Sequence, residues 1–471
     1  MKLSVFTFLV ALLASAVYAA EPKQNDYQTR FSPSVKQTPD SEARLNQWYR
    51  DAKYGAFIHF GVYSMLAGQY EGKVTKGSYS EWIRKNMRIV PQDYHAVAAE
   101  FNPSEFDADE WVHIFKESGM KYVVITAKHH DGFALYDSEV SDFNIVDHTP
   151  FKRDVIKELS EACQRVGLKF GVYYSHAKDW DEPYATGPLI TKDLRNLHPD
   201  LPKDFKADQD TYFDRKSLPQ VEELLTNYKV DLIWFDTPHA MTAARAKRFS
   251  DLVWRLNPDC LINSRILLKA NDIVTVESVN YFDFGSLRDK EVPPTPPAPG
   301  AIYVESPDSV SSSYGYKAFG KHHYHSGNEL VERLVHTVCN GGNYLLNNGP
   351  MGNGKIDPEA VRLYGIDGDW LKVNGESIYN TRPNPFGNRP GWGDISVSQD
   401  GKAVYLHIMT WPTSGSIRLE GLSLTAAAVS FLANGEKAEF SQQDGTLTVT
   451  LPAEPLNQYD TVLKMSLDDC R

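Results

Sequence analysis

Residues able to do chemistry recur in this chain at one kind of place, the end of a short apolar run. Val230-Asp231-Leu232-Ile233-Trp234-Phe235-Asp236 is such a run, closed by a carboxylate. It reads as a buried parallel strand whose C-terminal end opens into a site. Trp234 stands two residues before Asp236 and so shares its side of the strand. A carboxylate beside an aromatic suits a sugar, which has an apolar ring face and reacts through a cationic transition state. Asp236 could equally cap the helix that follows. Other runs end in kind: Ile58-His59-Phe60-Gly61, Lys128-His129-His130-Asp131-Gly132, Tyr173-Tyr174-Ser175 and Asn263-Ser264-Arg265, with Glu277 and Glu305 closing two more. In a (β/α)8 barrel the C-terminal strand ends share one mouth, so these seven ends point to a common active site.

The elements that must position them alternate short apolar runs with helical stretches, the pattern of βα units around a parallel sheet. Eight strands are expected: Tyr54–Phe60, Tyr122–Ala127, Phe170–Ser175, Leu232–Asp236, Cys260–Arg265, Ile273–Ser278, Ile302–Ser306 and Asn343–Asn347. Between them, Asp154–Arg165 places Val155, Ile156, Leu159 and Cys163 at helical spacing, with Gly167 set to end the helix. The expected fold is α/β, a (β/α)8 TIM-like barrel over residues 41–379. A doubly wound sheet is the alternative, but no GxGxxG follows any strand. Two long segments, Ala177–Asp208 and the proline-dense Val279–Ala301, are expected as loops walling the mouth. From 380 to 471 the texture changes. Asp394–Val397, Ala403–Ile408, Ser416–Leu419, Ala428–Leu432, Leu447–Leu451 and Thr461–Leu467 are short runs between Gly, Asn and Asp turns, and imply a C-terminal antiparallel β-sandwich.

Composition narrows the function classes. Of 471 residues, 42% are hydrophobic and 23% charged, an ordinary globular balance, and the length favours two domains. A net charge of −12 argues against a nucleic-acid partner, whose phosphates need Lys and Arg. Lys2, the apolar run Val5 to Val17 and the small residues Ala19 and Ala20 have the order of a secretory signal peptide over residues 1–20. That run is too short to span a membrane, so a secreted or periplasmic protein is expected, with a polar arm over 21–40. The four cysteines, Cys163, Cys260, Cys339 and Cys470, are widely spaced without a CxxC pair, and the first three read as buried free thiols.

Several stretches resemble the family 29 glycoside hydrolases, the α-L-fucosidases. They are Ile58-His59-Phe60-Gly61-Val62-Tyr63, Lys128-His129-His130-Asp131-Gly132-Phe133, Phe170-Gly171-Val172-Tyr173-Tyr174-Ser175, Trp234-Phe235-Asp236, Gly341-Gly342-Asn343-Tyr344-Leu345-Leu346-Asn347 and Asn374-Gly375-Glu376-Ser377-Ile378-Tyr379. The resemblance implies a retaining exo-α-L-fucosidase acting on a fucosylated oligosaccharide or glycoconjugate. Asp236 would be its nucleophile, and His59, His129, His130, Tyr174, Trp234 and Arg265 would hold the sugar, with Glu81 and Trp82 reaching it from the loop after the first strand. The acid/base would be Glu305 or Glu277. Glu305 is preferred because Ser312-Ser313-Tyr314-Gly315-Tyr316 follows it as Trp-Gly-Tyr follows the family's Trp-Glu.

The chain departs from that pattern at Val304-Glu305, at Tyr314-Gly315-Tyr316 and at Thr237, where Gly is common. These departures bear on the leaving-group side more than on the fucose pocket. Adjacent His129 and His130 would point to opposite faces of a regular strand and chelate one ion poorly. Glycosidases of this mechanism need no metal, so neither a metal nor another cofactor is expected. Two other readings stay open: a secreted fucose- or galactose-binding protein on a hydrolase scaffold, and an exo-glycosidase acting on a galactoside. The residues do not specify an oligomeric state.

Overall fold

The structure, a computed structural model, describes residues 39–185, 196–238, 240–267, 282–283, 303–386 and 389–467. The expected signal peptide, the strand Ile273–Ser278 with Glu277, and Cys470 lie outside the described residues. So does most of the proline-dense segment.

Eight parallel strands form the main sheet: β1 (Tyr54–Ile58), β2 (Tyr122–Lys128), β3 (Lys169–Tyr174), β4 (Leu232–Phe235), β5 (Leu261–Ile262), β6 (Phe282–Asp283), β7 (Val304–Ser309) and β8 (Gly342–Asn348). Their order is β5-β4-β3-β2-β1-β8-β7-β6. Since β1 pairs with both β2 and β8, chain order runs round the sheet as in a (β/α)8 barrel, and the seam falls between β5 and β6. Among the described residues the sixth strand is Phe282–Asp283, inside a stretch expected to be loop.

Strand alternation divides the apolar residues between two cores. Phe57, Val124, Tyr173, Leu232, Trp234, Leu261 and Leu345 pack inside the barrel. Their neighbours Ala56, Ile58, Val123, Ile125, Val172, Tyr174, Ile233 and Phe235 pack outward against the helices. The helix Val155–Val166 begins at Asp154, whose side chain accepts from the Lys157 amide, and ends at Gly167 with φ +78°. The helix after β4, Ala243–Leu256, is capped by Thr242, so the capping reading of Asp236 does not hold. Cys163, Cys260 and Cys339 are buried free thiols. Among the described residues no helix is long and apolar enough to cross a membrane.

Beyond the barrel, β9 (Thr381–Pro383), β10 (Gly393–Ser398), β11 (Ala403–Ile408), β12 (Ser416–Leu419), β13 (Ala426–Phe431), β14 (Phe440–Gln443), β15 (Thr446–Thr450) and β16 (Thr461–Leu467) form two antiparallel sheets. One runs β9-β10-β11-β16-β13 and the other β12-β15-β14. Leu406, Val429 and Leu463 of the first share a core with Ile417, Leu447 and Val449 of the second. β9 and β14 are additions to the six strands expected. Buried polar contacts tie the sandwich to the barrel: His336 Nδ1 lies 2.8 Å from Asp394, and Trp370 Nε1 donates to the Asp460 carbonyl at 3.2 Å. Asp460 in turn accepts from His407 at 2.7 Å.

Candidate active site

The site forms where the inward-facing residues run out at the C-terminal strand ends. Asp236 follows the last residue of β4 and is 9% exposed. Arg265 Nη1 donates to its Oδ1 at 2.6 Å and the Tyr173 hydroxyl to its Oδ2 at 2.8 Å. Burial alone would raise this carboxyl. The Arg265 charge, the Arg265 hydrogen bond and Tyr173 outweigh it and hold Asp236 at about 2, so the group is a carboxylate at any ordinary pH. Arg265 comes from a short 3-10 turn, Ser264–Ile266, beyond the end of β5. Its guanidinium lies 4.8 Å over the Trp234 ring.

Three histidines line the space above. Asn347 donates through Nδ2 to the Tyr314 carbonyl at 2.8 Å and to Ser309 Oγ at 3.1 Å, so its Oδ1 is left to accept. That oxygen lies 2.8 Å from His59 Nδ1, which must therefore carry the proton, leaving Nε2 as an acceptor. Burial lowers His59 to about 4, against the Asn347 bond. His129 stacks on Tyr173 at 5.3 Å, and its buried Nδ1 has no protein partner. Burial first, then the His59 charge, holds it well below the ordinary value. His130 is also kept neutral, chiefly by burial and then by His129. His129 and His130 face the same site although they are adjacent. β2 pairs with β3 through a register shift between Thr126 and Lys128, and the strand ends there, so strict alternation no longer applies. Gly132, in the same motif, has φ +84°, and a Cβ there would lie 2.4 Å from Asp179 Oδ1.

The sequence-derived residues come together unevenly. His59, His129, His130, Trp234, Arg265 and Asp236 are linked directly or through one ring. Trp82 packs on His130 and Trp180, each at 5.3 Å, and forms a side wall. Glu81 is buried and accepts from the Gly315 amide at 2.8 Å, bridging the loops after β1 and β7.

Two residues do not fit. Tyr174 points outward: its hydroxyl donates to Gln220 at 2.9 Å, and Lys128 lies 4.8 Å over its ring. The inward residue is Tyr173, one position earlier, in register with Trp234. Glu305 is not a strand end. β7 runs on to Ser309, and Glu305 is its second residue, level with Asn343 near the start of β8. It is fully buried and accepts from Tyr49 at 2.5 Å, Tyr122 at 2.9 Å and Trp234 Nε1 at 2.8 Å. Burial raises it to about 7 against those three donors. At ~3.3 Å per residue it lies roughly 13 Å along the strand below Ser309, on the barrel floor. A group sealed there under Trp234 cannot protonate a leaving oxygen at the mouth.

Comparison with known proteins decides what the pocket belongs to. A family model described as "Alpha-L-fucosidase" matches residues 18–376, and one described as "Alpha-L-fucosidase C-terminal domain" matches 395–467. The chain belongs to the α-L-fucosidases, glycoside hydrolase family 29. It is 30% identical to the plasma α-L-fucosidase of Homo sapiens over 449 residues, covering 91% of this chain and 90% of that protein. Among solved structures, α-L-fucosidase from Vibrio sp. strain EJY3 superposes with a TM-score of 0.81 at 30% identity, over 92% of this chain and 74% of that one. Isoenzyme 1 from Paenibacillus thiaminolyticus gives 0.79 at 31%, over 91% and 100%. This enzyme is therefore a glycoside hydrolase, and the reading as a sugar-binding protein without activity is set aside. Tyr173 and Asn347 lie in stretches that the sequence singles out without a role for either, and Trp180 carries no such signal. Pairing β3 with β4 in register would have found the first.

Proposed function

We propose that the enzyme is a retaining exo-α-L-fucosidase that removes terminal α-L-fucose from oligosaccharides or glycoconjugates by double displacement, with Asp236 as nucleophile. The observation that carries this reading is the Asp236 carboxylate, held ionised by Arg265 and Tyr173 beneath a ring of neutral histidines. Asp236 attacks the anomeric carbon, the glycosidic bond breaks, and the leaving oxygen takes a proton from a general acid. Water, deprotonated by the same group, then cleaves the fucosyl ester. Arg265 and Tyr173 make Asp236 a good leaving group in that second step, because they stabilise the carboxylate as it is released. His59, with its acceptor Nε2, and His129 suit uncharged hydroxyls. With Glu305 on the floor, Glu277 takes the acid/base role in this proposal. Glu277→Ala should then keep much more activity on an activated aryl fucoside than on a poor leaving group, and azide should rescue it.

Proton NMR of the first-formed sugar tests the stereochemistry: α-L-fucose appearing before mutarotation supports retention, and β-L-fucose rules it out. A panel of aryl glycosides that includes β-D-galactoside tests the sugar. We also propose export through the N-terminal segment. The mature secreted protein should begin near Ala20 or Glu21, and an N-terminus at Met1 would exclude cleavage.

A further inference from the structure

The residue after Asp236 adopts a backbone conformation that its side chain disfavours. Thr237 has φ +46°, a left-handed value that a β-branched residue disfavours and that glycine would accept freely. Its hydroxyl Oγ1 lies 3.1 Å from His130 Nε2.

The proton positions around that ring follow from its other side. Ser175 Oγ donates to the Lys178 carbonyl at 2.5 Å, which can only accept. With its one proton spent there, Ser175 Oγ must accept from His130 Nδ1, 2.6 Å away. In the neutral ring Nε2 is then unprotonated, and Thr237 must donate to it. The same Nε2 lies 3.5 Å from Asp236 Oδ2, where a protonated imidazole would pair with the nucleophile. We propose that Thr237 is a positioning residue: its hydroxyl fixes His130 as the Nδ1–H tautomer and keeps the imidazole from pairing with the Asp236 carboxylate.

Other groups around the ring act in the same direction. His129 packs against it at 4.3 Å, Trp82 and Trp180 cover it at 5.3 and 5.5 Å, and the charges of Lys178, Lys128 and His59 oppose a further proton. Asp236, 3.5 Å from Nε2, would favour one. Thr237 thus occupies the nitrogen through which a proton would reach that carboxylate.

The inference rests on Asp236 being the nucleophile, but its test does not need turnover. Protein labelled with 15N-histidine, with His130 assigned by loss of its signals in His130→Gln, should show a protonated Nδ1 and an unprotonated Nε2 at neutral pH in the wild type and in Thr237→Ser. Thr237→Val keeps the branched shape without the hydroxyl, and Thr237→Gly suits the backbone if the valine variant does not fold. In either, Nε2 should gain a proton at a pH about one unit higher than in the wild type. The acid limb of kcat/KM should rise with it, and Thr237→Ser should restore both. A protonated Nε2 in the neutral wild type overturns the proposal, and so do unchanged titration and acid limb in both hydroxyl-free variants. Failure of Asp236 as nucleophile would appear separately, as turnover surviving Asp236→Ala.

Discussion

Tyr173 and Tyr174 are adjacent, both fully buried, and differ only in the face of β3 they occupy, so conservative substitutions at the two separate site from scaffold. Tyr173→Phe removes a 2.8 Å hydrogen bond to the ionised Asp236. A bond to a charged group is worth about 1.5–3 kcal/mol. That bond matters most as the carboxylate departs from the fucosyl ester, so the second step should slow by about 10- to 100-fold. Tyr174→Phe removes a neutral 2.9 Å bond to Gln220, worth about 1 kcal/mol of stability and nothing at the reacting atoms. The assay is stopped-flow turnover of an activated aryl α-L-fucoside, with a urea titration of each variant. Tyr173→Phe should lower kcat and KM together and show a burst of aryl alcohol as the ester accumulates. Tyr174→Phe should keep kcat/KM within about threefold and lose only stability. If Tyr174→Phe were the slower enzyme, or Tyr173→Phe turned over normally, the assignment of faces would be wrong.

Arg265→Met leaves a buried carboxylate without its cation and should cost about 3 kcal/mol of stability in urea, along with most activity. It should also change the response to acid. Asp236 sits at about 2, below its ordinary 3.8, so its contribution is present above pH 3.8 and lost as pH falls toward 2. That loss, about 2.5 kcal/mol in the wild type, should be largely absent from the variant's acid unfolding curve. Glu305→Gln should show no azide rescue and no dependence on leaving group. Glu305 is raised to about 7, so its contribution is full below pH 4.5 and fades as pH rises through 7. The wild type should lose about 3 kcal/mol over that interval, and Glu305→Gln should flatten the slope. Asp460→Ala, at the junction of sandwich and barrel, leaves His407 buried without its partner and should cost about 2 kcal/mol while kcat on an aryl fucoside stays unchanged.

The barrel was legible because β1 to β4 carry nearly continuous apolar runs, and the carboxylate at the end of β4 stood out by contrast with the run before it. What misled were features that depend on neighbouring strands. The Ile302–Ser306 reading stopped β7 at its polar residues. The strand continues through Ser309 because Leu345, Leu346 and Asn347 of β8 pair with Pro307, Asp308 and Ser309, and this turned a floor residue into an apparent strand end. The choice of Tyr174 over Tyr173 has the same origin, since alternation gives two faces but only pairing tells which is inner. His129 and His130 escaped strict alternation through a register shift that leaves no mark in composition. The described part of β6 is two residues, in a stretch whose prolines argued for loop. The role of Glu305 depends on Tyr49 and Tyr122, far away in sequence and brought to it by the curled sheet.

Double displacement requires that Asp236 become covalently bonded to the sugar. The most direct test is to incubate the enzyme with 2-fluoro-L-fucosyl fluoride, digest it at low pH and map the adduct by mass spectrometry. One 2-fluorofucosyl group per chain is expected, on the peptide carrying Asp236, and none in Asp236→Ala. A stable adduct on any other residue, or full inactivation of Asp236→Ala with the same labelling as the wild type, would contradict it.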